Sequence, residues 1–269
     1  MTKPVVLVRG GGDLASGVVF RLAHAGLKVI VTEIAQPLAV RRLVSFAEAI
    51  YKGEISIEDV IGQQCKSAEE ALHCLDGGIV PVLVDPNAEI CKKISPRVVV
   101  DGRMTKREPG NAMDSAPLTI GLGPGFVAGR HCHAVVETMR GPFLGRVYWD
   151  GQAEADTGLP ETVGNYQAER VLRAPARGVF KARVAIGDII SRGDVLAEVD
   201  GKPVPAHFDG AVRGLLHDGL VVQQGVKVGD LDPRQDPRLC RMVSDKALAV
   251  GGGVLEAILA RPEIRAGLW

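Results

Sequence analysis

The chain has 269 residues, enough for one large domain or two smaller ones with a full core, and its 32 Lys plus Arg equal its 32 Asp plus Glu. That balance leaves no positive excess to draw the molecule to nucleic acid or anionic lipid. No stretch of about 18 apolar residues is present, and the first apolar run, residues 5–8, is too short for a signal-peptide core, so a cytoplasmic protein with no membrane association is expected. Five cysteines lie scattered without a Cys-x-x-Cys pair, which argues against a disulfide framework or a closed zinc site.

The strand expected over residues 5–8 runs into Gly10-Gly11-Gly12-Asp13 and then into an apolar-periodic helix over residues 14–22. Gly10 and Gly12 with Ala15 satisfy Gly-x-Gly-x-x-Ala. The first glycine permits the tight turn, the second lets a pyrophosphate approach the backbone, and the small third residue lets helix and strand pack closely. Free amides and the positive dipole end at the helix start favour an anion. A second strand, residues 29–32, ends at Glu33, roughly 20 residues on, where a carboxylate can accept from a ribose hydroxyl. The competing reading is a tight strand-to-helix turn that holds nothing.

Residues 37–51 read as a helix with Pro37 in its first turn and Gly53 beyond its end. There follow a short strand over 55–60, a helix over 67–75 with a Ser-x-x-Glu start, a strand over 79–84 ending at Asp85, and a short helix over 87–94. Strands over 98–100, ending at Asp101, and 118–121, ending in glycines, complete the alternation. The pattern predicts an α/β fold: a Rossmann-like, mainly parallel sheet with helices on both faces. Ligands of such sheets sit beyond the carboxyl ends of the strands. Those ends carry Gly10 to Gly12, Glu33, Asp85, the charged run Asp101, Arg103, Lys106 and Arg107, and the glycine loop of Gly123 and Gly125. Arg103 and Lys106 there suit a phosphate or carboxylate, and the Gly121 to Gly129 loop suits an amide nest, against the plainer readings of an exposed charged loop and a turn.

His131, Cys132 and His133 alternate in direction on a strand, so at most the two histidines converge and no second ligand pair is apparent. Metal binding is not expected, and Cys132 reads as a buried, inert thiol. Two strands, 133–136 and 143–149, read as an antiparallel hairpin at the sheet border. The first domain is expected over residues 1–150, with a connecting segment over 151–169.

The second domain, 170–234, announces itself by an internal repeat: Gly178, Gly187 and Gly193 recur as Gly210, Gly219 and Gly225 at a constant offset of 32. Ile189-Ile190 and Val221-Val222 fall in the same register, which predicts a small all-β unit with quasi-twofold symmetry. The segments 174–178 and 186–196 resemble the biotinyl- and lipoyl-type barrel-sandwich domains. Those domains present a carrier lysine on a hairpin between the repeats. The matching hairpin, Asp200-Gly201-Lys202-Pro203, lacks flanking methionines, so no covalent biotin or lipoate is expected on Lys202. Residues 235–269 hold a helix over 243–260 containing Gly251-Gly252-Gly253. Either the helix breaks there or another backbone comes very close, with the segment docking on the first domain.

Taken together, the segments 8–17, 121–129, 135–141, 144–147, 244–247 and 251–256 resemble the selenium-dependent molybdenum hydroxylase system accessory proteins of YqeB type. The resemblance implies an accessory role in maturing a molybdenum hydroxylase, a class that includes xanthine dehydrogenase. It implies as partners the hydroxylase apoenzyme or proteins that handle its cofactor, and it transfers no catalytic residue. The glycine turn, with Asp13, would then hold NAD(P) or a molybdopterin dinucleotide. The rival readings are an NAD(P)-dependent oxidoreductase, for which no Tyr-x-x-x-Lys pair or comparable dyad is present, and a partner-binding scaffold with a vestigial nucleotide site.

Overall fold

The computed structural model describes residues 4–105, 109, 112–158 and 162–267. The chain begins with β1 (Val5–Arg9), α1 (Asp13–His24) and β2 (Lys28–Glu33), followed by a short α2 (Ala49–Lys52) and the hairpin β3 (Glu54–Ile57) and β4 (Val60–Cys65). Then come α3 (Ala68–Asp76), β5 (Val80–Val84), α4 (Cys91–Ile94), β6 (Val98–Asp101), β7 (Leu118–Leu122), β8 (Val127–Ala128), β9 (Ala134–Val136), β10 (Val147–Tyr148) and β11 (Gly151–Gln152). Among the described residues these strands form a nine-stranded sheet in the order β10-β9-β7-β6-β1-β2-β5-β4-β3 and a separate β8/β11 ribbon. From β9 across to β4 every pairing is parallel, and only the edge strands β10 and β3 run antiparallel. The fold is therefore mixed α/β with a large, mainly parallel sheet.

Both faces of that sheet are covered. Val5, Leu7, Ile30 and Val99 share one apolar cluster with Ala68, Ala71 and Leu75 of α3. The alternate residues Val6 and Val8 are also fully buried, as side chains pointing to the other face must be when helices lie on both sides. α1 packs there against α5 (Asp245–Leu259), which leads into α6 (Pro262–Arg265). The three glycines do not break α5. A Cβ on Gly251 would come within 2.5 Å of Gly17 O in α1, and one on Gly253 would overlap Gly145 O. Gly17 answers from α1, where a Cβ would lie 2.5 Å from Ala247 O. The close-approach alternative is the one realised.

The helix expected over 37–51 is not formed as one piece. In its place stand 3-10 turns at Arg42–Val44 and Phe46–Glu48 followed by α2. The donors that a continuous helix would pair internally are used elsewhere: Phe46 N donates to Ser16 Oγ at 2.9 Å and Ala47 N to Gly11 O at 2.9 Å. The strand expected over 55–60 is two strands folded about Glu58, whose φ of +52° turns the chain. The helix start at Ser67 behaves as its spacing predicts, with Ser67 Oγ accepting from Glu70 N at 3.2 Å and Glu70 Oε2 accepting from Lys66 N at 2.8 Å.

The chain divides into two compact units: residues 38–45 with 158–242 make one, and the remainder makes the other. The smaller unit holds β12 (Val171–Arg173), β13 (Gly178–Ala182), β14 (Ile189–Ile190), β15 (Val195–Val199), β16 (Lys202–Pro205), β17 (Gly210–Leu215), β18 (Val221–Val222) and β19 (Lys227–Asp232). They form two four-stranded sheets, β12-β19-β17-β14 and β16-β15-β13-β18. The sequence repeat is visible in the pairing. Ile190 faces Gly210 in one sheet and Val222 faces Gly178 in the other, and the 32-residue offset converts each pair into its counterpart. The middle strand of each repeat thus pairs with the first strand of the other, and neither repeat closes alone. The β15/β16 hairpin turns on Asp200 and Gly201, with φ of +52° and +75°, which places Lys202 opposite Val199 in the ladder instead of at the tip.

The glycines of α5 make a direct test of the packing. Gly253→Ala is expected to cost about 2 kcal/mol or more through overpacking against a backbone that cannot move aside. Gly252→Ala, whose Cβ meets nothing within 4 Å, gains up to about 1 kcal/mol from helix propensity. Urea-denaturation midpoints of the two variants, moving in opposite directions, would check it.

Candidate functional site

The strand order switches direction beside β1. From β1 the chain adds β2, and β5 follows beside β2, then the path crosses back to lay β6 on the other side of β1. In an open parallel sheet such a reversal leaves a crevice at the carboxyl ends of the two diverging strands. Here those ends are the Gly10 to Gly12 turn after β1 and the Asp101 to Arg103 turn after β6. Because β1, β2, β5, β6 and β7 are mutually parallel, the Glu33, Asp85 and Gly121 to Gly125 ends lie along the same edge.

Gly10 has φ +90°, and a Cβ there would meet Arg103 N and Cα at 3.2 Å, so the two turns touch. Its amide donates to Thr32 O at 2.7 Å. At Gly11 a Cβ would sit 2.7 Å from Ala47 N, and its carbonyl accepts from Ala47 N and from Ser16 Oγ, the latter at 3.0 Å. Gly12 differs from both: a Cβ would meet nothing within 4 Å. Gly10 and Gly11 are therefore glycines because the fold presses on them, whereas Gly12 faces open space at the start of α1. Asp13 occupies the first helical position.

Glu33 does something its sequence position did not reveal. Its Oε2 accepts from Gly11 N at 2.8 Å and its Oε1 from Ile34 N at 2.8 Å, so the carboxylate closes over the glycine turn itself. Asp101 is buried and pairs with Arg103 through both oxygens, at 2.9 Å from Nε and 2.5 Å from Nη2. That pairing raises the Arg103 pKa above its ordinary value. Arg9, the last residue of β1, also approaches Asp101, with Nη1 3.6 Å from Oδ2, while its Nη2 donates to Pro86 O at 3.1 Å. Burial, then the neighbouring Arg103, push the Arg9 pKa down. Arg9 was not among the residues expected at the site. The signal was present in the sequence, since a strand-end arginine directly before the glycines must project at the sheet edge.

Lys106 and Arg107 lie outside the described residues. Gly123 has φ +69°, donates its amide to Val136 O at 2.9 Å and leaves no room for a Cβ beside Thr138 Oγ1, while Gly125 has φ +102°. The sequence also did not disclose Glu137. It is fully buried, and its carboxylate accepts from Thr138 N, Met139 N and Glu154 N, each at 2.7 Å, so it organises the loop after β9.

The His131 to His133 segment is held by separate bonds. His131 Nδ1 accepts from Val127 N at 3.0 Å, and His133 Nδ1 accepts from Thr119 N at 3.0 Å with Thr119 Oγ1 at 2.8 Å. At His133, accepting at Nδ1 from Thr119 N requires a neutral ring. Cys132 between them is buried, donates to Ala134 O at 3.1 Å, and has its pKa pushed up to about 11, chiefly by desolvation. No helix among the described residues is long and apolar enough to cross a membrane.

No family model matches the chain. It is similar to the "Uncharacterized protein YqeB" of Escherichia coli K12, 46% identical over 255 residues, which is 95% of this chain and 47% of that protein. The chain thus spans about half the length of the curated relative it matches, and the likeness to YqeB-type proteins rests on that half. Among solved structures it resembles an aspartoacylase family protein from Mesorhizobium loti, at 12% identity, 85% of each chain and a TM-score of 0.27. It also resembles the ectoine utilization protein EutE (DoeB) from Ruegeria pomeroyi, at 11% identity, 86% and 85% coverage and a TM-score of 0.29. Neither likeness is close enough to bear on fold or activity.

The His133 pKa is lowered from its ordinary value of 6.5, by burial first and by Arg261 second, so the native state holds the ring neutral where the unfolded chain would take a proton. Its stabilising contribution is complete above about pH 6.5 and declines as pH falls below that value. His133→Asn, which keeps an acceptor near the Nδ1 position but does not titrate, is expected to lessen the drop in urea midpoint between pH 7.5 and 5.5. An unchanged drop would show that the acid sensitivity arises elsewhere.

Proposed function

We propose that this chain is a cytoplasmic accessory protein of a selenium-dependent molybdenum hydroxylase system, and that its larger unit is Rossmann-like and binds a nucleotide or the pyrophosphate-containing molybdenum cofactor. The observation that carries the reading is the reversal of strand order between β1 and β6, with a glycine turn on one side and a charged turn on the other. The 46% identity to a YqeB protein supports the relationship on which the hydroxylase role rests. On this reading the smaller unit, with its exchanged repeats, is a barrel-sandwich module that has kept the fold without the carrier lysine.

The turn fits a pyrophosphate at one position above all. Gly12 stands at the head of α1 with open space where a side chain would project, which is the room a phosphate needs to reach backbone amides. Gly12 and the first turn of α1 would hold the group, Arg103 would add charge, and Glu33 would turn from Gly11 N to a ligand hydroxyl. When bound, a molybdopterin dinucleotide would supply the molybdenum-ligating dithiolene that the hydroxylase requires. This chain's part is to grip its diphosphate and exclude water from it.

One observation favours a second reading, a partner-binding scaffold with a vestigial site: Glu33 already satisfies Gly11 N. Calorimetric titration with NAD(H), NADP(H), ATP and a molybdopterin dinucleotide separates the two. The first reading expects at least one of them to bind and Gly12→Val to weaken it by about tenfold or more, since the side chain fills the approach to the amides. No binding of any ligand, to the wild type or to Glu33→Gln, would leave the scaffold.

A further inference from the structure

Arg9 and Asp101 are direct neighbours in the β1/β6 ladder, the last paired residues of their strands. Leu7 and Val99, two positions earlier on each strand, both lie in the cluster that packs against α3. By strand alternation Arg9 and Asp101 therefore share that face at the sheet edge, and Arg103 folds back onto the same carboxylate. Two guanidinium groups thus bracket one carboxylate at the crevice mouth, and Asp85 is the further acid whose charge reaches Arg9.

Arg9 Nη2 donates to Pro86 O at 3.1 Å, and the rest of its guanidinium is less well served. Its side chain is only 18% exposed, its contact with Asp101 is longer than a hydrogen bond, and its Nε is buried with no acceptor. Asp85, the other carboxylate nearby, is turned to cap the following turn, accepting from Glu89 N and Ile90 N at 2.9 Å each. A largely buried cation with an unpartnered Nε, beside a second cation that already holds the one carboxylate both approach among the described residues, is the arrangement an incoming oxyanion completes.

We propose that Arg9 and Arg103, held in place by Asp101 across the switch point, form a site for a phosphate group distinct from the glycine turn. The site deepens the reading given above, on which it rests for its place in the ligand's path. It makes the ligand one with two anionic groups, one at the head of α1 and one between the arginines. Arg9 fixes the second through its forked donors, which a lysine at the same place cannot reproduce.

The test uses the full chain with inorganic pyrophosphate and inorganic phosphate as probes, alongside the tightest nucleotide of the panel. Arg9→Gln leaves Asp101 its paired bonds to Arg103 and so creates no orphaned buried charge. Pyrophosphate affinity is expected to fall by about tenfold or more in Arg9→Gln and by less in Arg9→Lys. Equal pyrophosphate affinity in wild type and a folded Arg9→Gln, or no pyrophosphate binding to the wild type, would overturn the site. Should Arg9→Gln not fold, Arg103→Gln decides by the same threshold. If pyrophosphate behaves as expected while no nucleotide binds, the anion site stands and the cofactor reading fails. If a nucleotide binds equally well to wild type and Arg9→Gln, the cofactor reading stands and this site falls.

Discussion

The edge that carries the candidate site depends on one constraint, the parallel β1/β6 ladder that joins the two halves of the large sheet. Because β6 lies beside β1 on the side away from β2, the turns that leave these two strands meet at the carboxyl edge of the sheet, Gly10 against Arg103. Every polar group singled out at the edge, from Gly10 to Arg103, takes its position from that ladder. The register Arg9 to Asp101 then brings a cation and an anion together at the mouth.

A second constraint is backbone proximity. α1 must start at the glycine turn and also lie tightly against α5, and both demands are met by removing side chains. Gly17 and Gly251 let the two helices touch through their backbones. Gly11 lets the chain at Phe46 and Ala47 press on the turn and bond to it. The turn is thereby built from two sides, by Ser16 and the 46–47 amides below and by Glu33 beside it, and only Gly12 is left open. A preformed turn with open space beside Gly12 loses little ordering entropy when an anion arrives.

The alternation of elements, the parallel sheet, the capped start of α3 and the repeat in the smaller unit were all legible because they rest on local signals: apolar period, a Ser-x-x-Glu spacing, glycines at a fixed offset. The segment 37–51 misled because its apolar spacing is helical while the amides of Phe46 and Ala47 are claimed by Ser16 and Gly11, thirty or more positions away, something no local pattern records. Glu137 was hidden for a related reason, since the amides it gathers come from residues 138, 139 and 154, and only the fold assembles them. At the site, the glycines and the Asp101 to Arg103 turn were readable as strand ends. The place of Arg9 at the strand end was readable too, but its pairing with Asp101 and the bond from Gly11 to Glu33 were not, because each depends on which strands stand side by side.

The central claim is that one edge of the large sheet, at the β1/β6 reversal, grips a diphosphate. Hydrogen–deuterium exchange of the whole chain with and without saturating inorganic pyrophosphate tests it most directly. The account predicts added protection in peptides covering residues 9–15 and 101–105 with the remainder unchanged. Protection confined to residues 171–232, or none anywhere at a concentration that saturates binding, would contradict it.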